Sequence, residues 1–144
     1  MIKFIKNGNI FDSQVRVLVN PVNVVGVMGK GLALEFKQRW PHMFEVYRER
    51  CLNDCFWIGE LLLVKEKDHD ILLFPTKRHW RSKAKIEDIE IGLIYFVRDC
   101  GKLGIESIAF PMLGCGLGGL AWEDVKPLMV KYLEKLPIEI EIYE

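Results

Sequence analysis

A strand-like run that gives way to glycines and then to a helix constrains this chain most. Val15-Arg16-Val17-Leu18-Val19 is rich in β-branched residues and reads as a buried strand, whereas Leu32-Ala33-Leu34-Glu35-Phe36 favours helix. Between them lies Asn20-Pro21-Val22-Asn23-Val24-Val25-Gly26-Val27-Met28-Gly29-Lys30-Gly31. The three glycines at 26, 29 and 31 let the backbone approach a ligand closely, and the helix that follows offers unpaired N–H groups to an anion. The loop is neither a Walker loop, which needs Gly-Lys followed by Ser or Thr, nor a Gly-x-Gly-x-x-Gly dinucleotide fingerprint. Taken alone, it reads equally as a phosphate cradle or as a tight turn.

A second stretch repeats the pattern. Ser107-Ile108-Ala109-Phe110 reads as a strand, Pro111-Met112-Leu113-Gly114-Cys115-Gly116-Leu117-Gly118-Gly119-Leu120 as a glycine loop, and a helix begins near Trp122. Two such loops in one small domain point to a clamp on a diphosphate. Asn-x-x-Asn-x-x-Gly-x-Met-Gly-x-Gly in the first and Gly-Cys-Gly-Leu-Gly-Gly in the second resemble the two loops of a macrodomain, the ADP-ribose-binding fold. The resemblance spans nearly the whole chain.

The 144 residues, half of them hydrophobic, suit one domain over 1–144 with a full core. Twenty basic and twenty acidic side chains cancel, so attraction to nucleic acid has to come from a local patch. No apolar run approaches membrane-spanning length and Met1 to Lys6 alternates as a strand does, so a cytoplasmic protein with no membrane partner is expected. Cys51, Cys55, Cys100 and Cys115 lack zinc-site spacing, so free thiols and no metal or cofactor are expected. Only Cys115 has a place at the proposed site, where its small size matters more than its reactivity.

The remaining pattern is that of an α/β domain. A strand is expected at Ile2–Lys6, a turn at Asn7-Gly8-Asn9, a helix to about Arg39 and another from Pro41 through Cys51. Leu61–Val64 and Ile71–Phe74 read as antiparallel strands around a solvated turn, which makes His69 a surface residue. Ile86, Ile89, Leu93, Phe96, Val97, Cys100 and Leu103 form one helical stripe, and Trp122, Val125, Leu128, Met129, Tyr132, Leu133 and Leu136 another that Pro137 stops. Ile138–Tyr143 alternates as a closing strand with one wet face. This order gives a macrodomain-like three-layer α/β/α sandwich on a mixed sheet, with both glycine loops at the carboxyl ends of strands.

A third stretch carries the chemistry: Pro75-Thr76-Lys77-Arg78-His79-Trp80-Arg81-Ser82-Lys83-Ala84-Lys85. Its clustered cations read first as a solvated loop, but Trp80 has no core stripe to join and adds a stacking surface. Arg78, His79, Trp80, Arg81 and Lys83 are therefore candidate DNA contacts. Within the macrodomains, Thr-Lys here resembles the branch containing the terminal ADP-ribose protein glycohydrolases and the DarG-type DNA ADP-ribosyl glycohydrolases, antitoxins of DarT toxins. The longer string Pro75 to Lys83 is similar to the DarG type.

That resemblance implies a catalytic Lys77, acting as nucleophile at C1″ through a Schiff base or by charge alone. A lysine amine attacks only when burial or neighbouring cations depress its pKa, and Arg78 and Arg81 are candidates for the latter. His79, Glu35 or a substrate phosphate would serve as general acid. The resemblance also implies that Asn20, Asn23, Val27, Met28, Gly29, Lys30 and Gly31 surround the distal ribose, with the Lys30 side chain read as solvated. Leu113, Gly114, Cys115, Gly116, Leu117 and Gly118 would pass over the diphosphate, and Asn9 and Ile10 would stand at the adenine. Macrodomains usually carry Asp where this chain has Asn9, which reads as well as a plain turn residue. Protein-directed relatives commonly carry Asp where this chain has Gly118, so that acid does not transfer.

The expected partners are ADP-ribose, ADP-ribosylated single-stranded DNA and a DarT-type toxin, with the protein a monomer. An ADP-ribose-binding module without turnover, a hydrolase of protein-linked ADP-ribose and an ADP-ribose-1″-phosphate phosphatase are the alternatives.

Overall fold

The computed structural model describes residues 1–144. In chain order the elements are β1 (Ile2–Ile5), a 3-10 turn (Ile10–Asp12), β2 (Val17–Asn23), α1 (Gly31–Arg39), α2 (Pro41–Leu52), β3 (Leu62–Lys65), β4 (Asp70–Lys77), α3 (Ile86–Asp99), β5 (Ser107–Phe110), α4 (Trp122–Leu133) and β6 (Glu139–Tyr143). The six strands form one sheet in the order β1-β6-β5-β2-β4-β3. Every neighbouring pair is parallel except the β3–β4 hairpin, so the sheet is mixed.

Alternation along the inner strands divides the core in two. Val17, Val19, Leu72 and Phe74 face α3 and α4, where they meet Ile89, Leu93, Phe96, Val125, Met129 and Leu133. Leu18, Val22, Ile71 and Leu73 point the other way, onto Phe36 of α1 and Met43 and Tyr47 of α2. Covered on both faces, β2 and β4 read as near-continuous apolar runs, as interior parallel strands do. The result is the expected three-layer α/β/α sandwich.

Four expectations need correction. β2 does not end at Val19; it pairs with β4 as far as Asn23, so the first four residues of the expected loop are strand. Pro21 fits there because β5 pairs only with Val17 and Leu18, which leaves β2 without a partner on that side beyond them. Val97 is exposed and not part of the buried stripe. At 3.6 residues per turn it lies about 80° round the helix from Ile89. α4 stops at Leu133, ahead of the residue that Pro137 restricts, and Leu136 packs on the core from the turn beyond it, its N–H donating to the Leu133 carbonyl at 3.2 Å. His69 is half-buried and more than a turn residue: its Nδ1 lies 3.0 Å from the Val15 carbonyl and its ring stands edge-on to Trp40.

Candidate active site

Loop 1 begins where β2 breaks register between Val22 and Asn23. Asn23 then folds the loop onto its own side chain: Nδ2 donates to the Val27 carbonyl at 2.8 Å and Oδ1 accepts from the Val25 N–H at 3.0 Å. The buried Tyr47 hydroxyl from α2 lies 2.7 Å from the same Oδ1 and fixes the amide from below. The loop passes into α1 at Gly31, whose φ of +59° a side chain would oppose. Lys30 precedes the first turn of that helix, and both it and Gly31 line the cavity described below.

Loop 2 leaves β5 at Phe110 and is held from behind. The Ala84 N–H donates to the Gly118 carbonyl at 2.9 Å, and the Leu120 N–H donates to the Gly114 carbonyl at 3.0 Å. A Cβ on Gly118 would stand 2.4 Å from the Gly114 oxygen, so only glycine lets the loop close this tightly. An Asp at this position could not be accommodated without moving the loop. At the tip, Leu117 is largely exposed and its Cδ1 lies 3.3 Å from where a Cβ on Gly31 would be, so the two loops meet over the cleft.

The end of β4 supplies the reactive candidate. Parallel register sets Lys77 directly beside Asn23, and the Val24 N–H donates to the Lys77 carbonyl at 3.1 Å. The Lys77 Nζ donates to the Trp80 carbonyl at 3.0 Å, and burial pulls its pKa below the ordinary lysine value. Of the two expected causes, burial is the one that acts, not the neighbouring Arg78 and Arg81. The Arg78 guanidinium is turned away in a two-pronged pair with Asp88 of α3, at 3.0 and 3.1 Å. Arg81 lies over the Trp80 ring at 4.4 Å, and His79 stacks on the same indole with centroids 5.4 Å apart.

These parts enclose a cavity of 680 Å³ at the carboxyl ends of the strands. It runs from Tyr143 at the end of β6, past loop 2 and loop 1, to Lys77 and Trp80 at the end of β4. Three strand spacings separate the two ends, about 14 Å at about 4.8 Å each. Of the expected residues, Asn23, Val27, Gly29, Lys30, Gly31, Lys77, Trp80, Gly114, Gly116, Leu117 and Gly118 line it.

The others stand back from the lining. Asn9 spends its oxygen capping the 3-10 turn, accepting from the Phe11 N–H at 3.0 Å, and Ile10 is buried. Asn20 is fully buried beneath loop 1, its Nδ2 against the sulfurs of Met28 and Met43. Leu113 packs in the α3–α4 core. Burial raises the Cys115 thiol to about 11, which keeps it protonated at neutral pH. Arg78, His79, Arg81 and Lys83 lie outside the lining, the last with its stem 3.8 Å from where a Cβ on Gly119 would stand. Glu35 is exposed on α1, and the Nδ1 of His79 accepts from the Arg81 N–H, so neither faces the cavity as the expected acid would. Lining groups that sequence reasoning passed over include Pro111, Met112, Thr76 and Tyr143. The pairing of Phe110 with Ile142 brings Tyr143 to the mouth; the signal available was its place at a strand's carboxyl end.

No carboxylate or imidazole lines the cavity, and its charged side chains are Lys30 and Lys77. Such a site receives an elongated anion and can present one amine at its far end.

Comparison with known proteins agrees with this geometry. The profile of the Macro domain family matches residues 19–129. A DNA ADP-ribosyl glycohydrolase of Mycobacterium tuberculosis is 43% identical over 142 residues, which cover 95% of this chain and 40% of that protein. The chain thus spans about two fifths of the length of this curated relative. The solved macrodomain of Mycobacterium tuberculosis DarG shares 42% identity, with a TM-score of 0.94 over 99% of this chain and 97% of that one. Thermosipho africanus DarTG, solved in complex with ADP-ribose, gives 42% identity and a TM-score of 0.92 over 99% of this chain and 41% of its own. Matched by the family profile across its glycine loops and by a solved macrodomain over nearly its full length, the chain belongs to the macro domain family.

Proposed function

We propose that this domain binds ADP-ribose across its strand ends and hydrolyses the bond joining C1″ of the distal ribose to a DNA base such as thymine. The observation that carries the reading is the Lys77 amine, its pKa lowered by burial, standing beside Asn23 at one end of the cavity while Tyr143 occupies the other. This polarity orients the ligand. The adenine lies toward Tyr143, the diphosphate under the backbone N–H groups of loops 1 and 2, and the distal ribose against Asn23 and Lys77. Identity of 43% to a DNA ADP-ribosyl glycohydrolase supports the same reading.

In this mechanism the neutral amine of Lys77 attacks C1″ as the C1″–N bond to the base breaks, and the bonding pair leaves with the base. The ribose ring opens to a Schiff base on Lys77, which water hydrolyses to return the amine and ADP-ribose. A cavity lined by no carboxylate or imidazole suits a leaving group that departs without a protein acid. An imide nitrogen, whose anion is delocalised over two carbonyls, is one. A guanidine is not.

The substrate is single-stranded DNA, whose neighbouring nucleotides reach the basic turn holding Trp80, Arg81 and Lys83. A DarT-type transferase would supply it, and the domain acts as a cytoplasmic monomer. The test is incubation with ADP-ribosylated single-stranded DNA and with ADP-ribosylated protein. Release from DNA is expected for the wild type, and Lys77→Ala should lose it while holding free ADP-ribose within about threefold of wild-type affinity. Borohydride added during turnover should leave the wild type, but not the variant, heavier by a ribosyl adduct. A variant that cleaves at the wild-type rate removes Lys77 from the mechanism.

A further inference from the structure

We propose that Ser82 is a positioning residue for the Lys77 amine, acting through the carbonyl of Trp80. The inference rests on the catalytic reading of Lys77 given above. Trp80 O is the one hydrogen-bond partner of the Lys77 side chain, at 3.0 Å, so the direction of that carbonyl sets where the amine stands.

The carbonyl is in turn held by a closed β-turn from His79 to Ser82. The Ser82 N–H donates to the His79 carbonyl at 3.1 Å, which places Trp80 and Arg81 at the two corners. The Ser82 hydroxyl closes the turn again: Oγ donates to the same His79 carbonyl at 2.8 Å and accepts from the His79 N–H at 3.2 Å. A further bond at 3.0 Å, from the Arg81 N–H to His79 Nδ1, ties the first residue to the second corner. In such a turn the carbonyl of the first corner points away from the turn's own hydrogen bond, and here it points to Lys77.

This geometry has a chemical consequence. A neutral amine has two N–H bonds and one lone pair; with one N–H fixed on a carbonyl, rotation of the amine is restricted and the lone pair is held toward the cavity. Ser82 is exposed and does not line the cavity, so it does not touch the ADP-ribose held there. Its effect should therefore fall on turnover and spare the binding of free ADP-ribose.

The experiment compares Ser82→Ala, Ser82→Thr and Lys77→Ala on ADP-ribosylated single-stranded DNA, with calorimetric titration of free ADP-ribose alongside. Ser82→Ala is expected to lower kcat by about 10- to 100-fold, slow formation of the borohydride-trapped adduct in proportion, and leave affinity for free ADP-ribose at the wild-type value. Ser82→Thr, which keeps the hydroxyl, should restore most of kcat. Wild-type kcat in Ser82→Ala beside an inactive Lys77→Ala overturns the positioning role alone. Activity in Lys77→Ala overturns the lysine mechanism and this inference with it. Equal loss in the Ala and Thr variants, or a loss confined to KM, also overturns it.

Discussion

Gly116 and Gly118 stand two residues apart in loop 2 and are glycine for different reasons. A Cβ at 118 collides with the Gly114 carbonyl, whereas one at 116 meets no atom within 4 Å. The space beside Gly116 is open to the cavity, where the proposed reading puts the ligand. Gly116→Glu should consequently leave the fold and melting temperature unchanged but abolish ADP-ribose binding, because it sets a carboxylate where the diphosphate is to lie. Calorimetry on the folded variant checks it; wild-type affinity would remove loop 2 from the phosphate site. At this scale the sequence was legible where residue type alone carries meaning. The glycines were legible because turns need them, whereas Lys77 was singled out by the resemblance of its Thr-Lys setting to the glycohydrolase branch. Tyr143 was passed over and the Arg78–Asp88 pair was not anticipated, because each depends on a partner elsewhere in the chain: β5 for one, and Asp88, ten residues on, for the other.

The strand β4, the turn after it and α3 act together. β4 brings Lys77 to Asn23, the turn holds its amine, and α3 draws the Arg78 guanidinium away through Asp88. The cations of this basic segment are thus of two kinds, and variants should sort them. Arg81→Ala combined with Lys83→Ala should weaken binding of a modified oligonucleotide and reduce its salt slope by about 0.7 for each phosphate no longer neutralised. Affinity for free ADP-ribose should hold, since neither residue lines the cavity. Arg78→Ala should do the reverse, lowering the melting temperature by leaving Asp88 buried and unpaired while the salt slope stays unchanged. A slope that falls in Arg78→Ala as well would mean that the pair opens on DNA. The sequence marked the segment as basic and aromatic, but charge counting could not tell a paired arginine from one available to phosphate.

The molecule as a whole is a sheet that aligns four strand ends beneath one cavity, so packing between layers bears on the site. The packing of Gly92 against Phe74 tests this coupling. Gly92 lies in the middle of α3, and a Cβ there would stand 2.4 Å from Cζ of Phe74, a fully buried ring of β4 that meets Phe110 edge-on. Helix propensity alone argues that Gly92→Ala stabilises, by about 1 kcal/mol. Overpacking argues the other way, by about 1–3 kcal/mol, because a ring enclosed on all sides cannot swing aside and either α3 or β4 must move. Overpacking should win, leaving Gly92→Ala less stable by up to about 2 kcal/mol, a fall of several degrees in melting temperature. Phe74 is three residues from Lys77 on the same strand, so any displacement of β4 reaches the amine. The variant should therefore lose kcat along with stability, and Phe74→Leu in the same chain, by giving the new methyl room, should recover part of both. A melting temperature above wild type in Gly92→Ala would show that the layers yield at this point and that the strand end is set independently of α3.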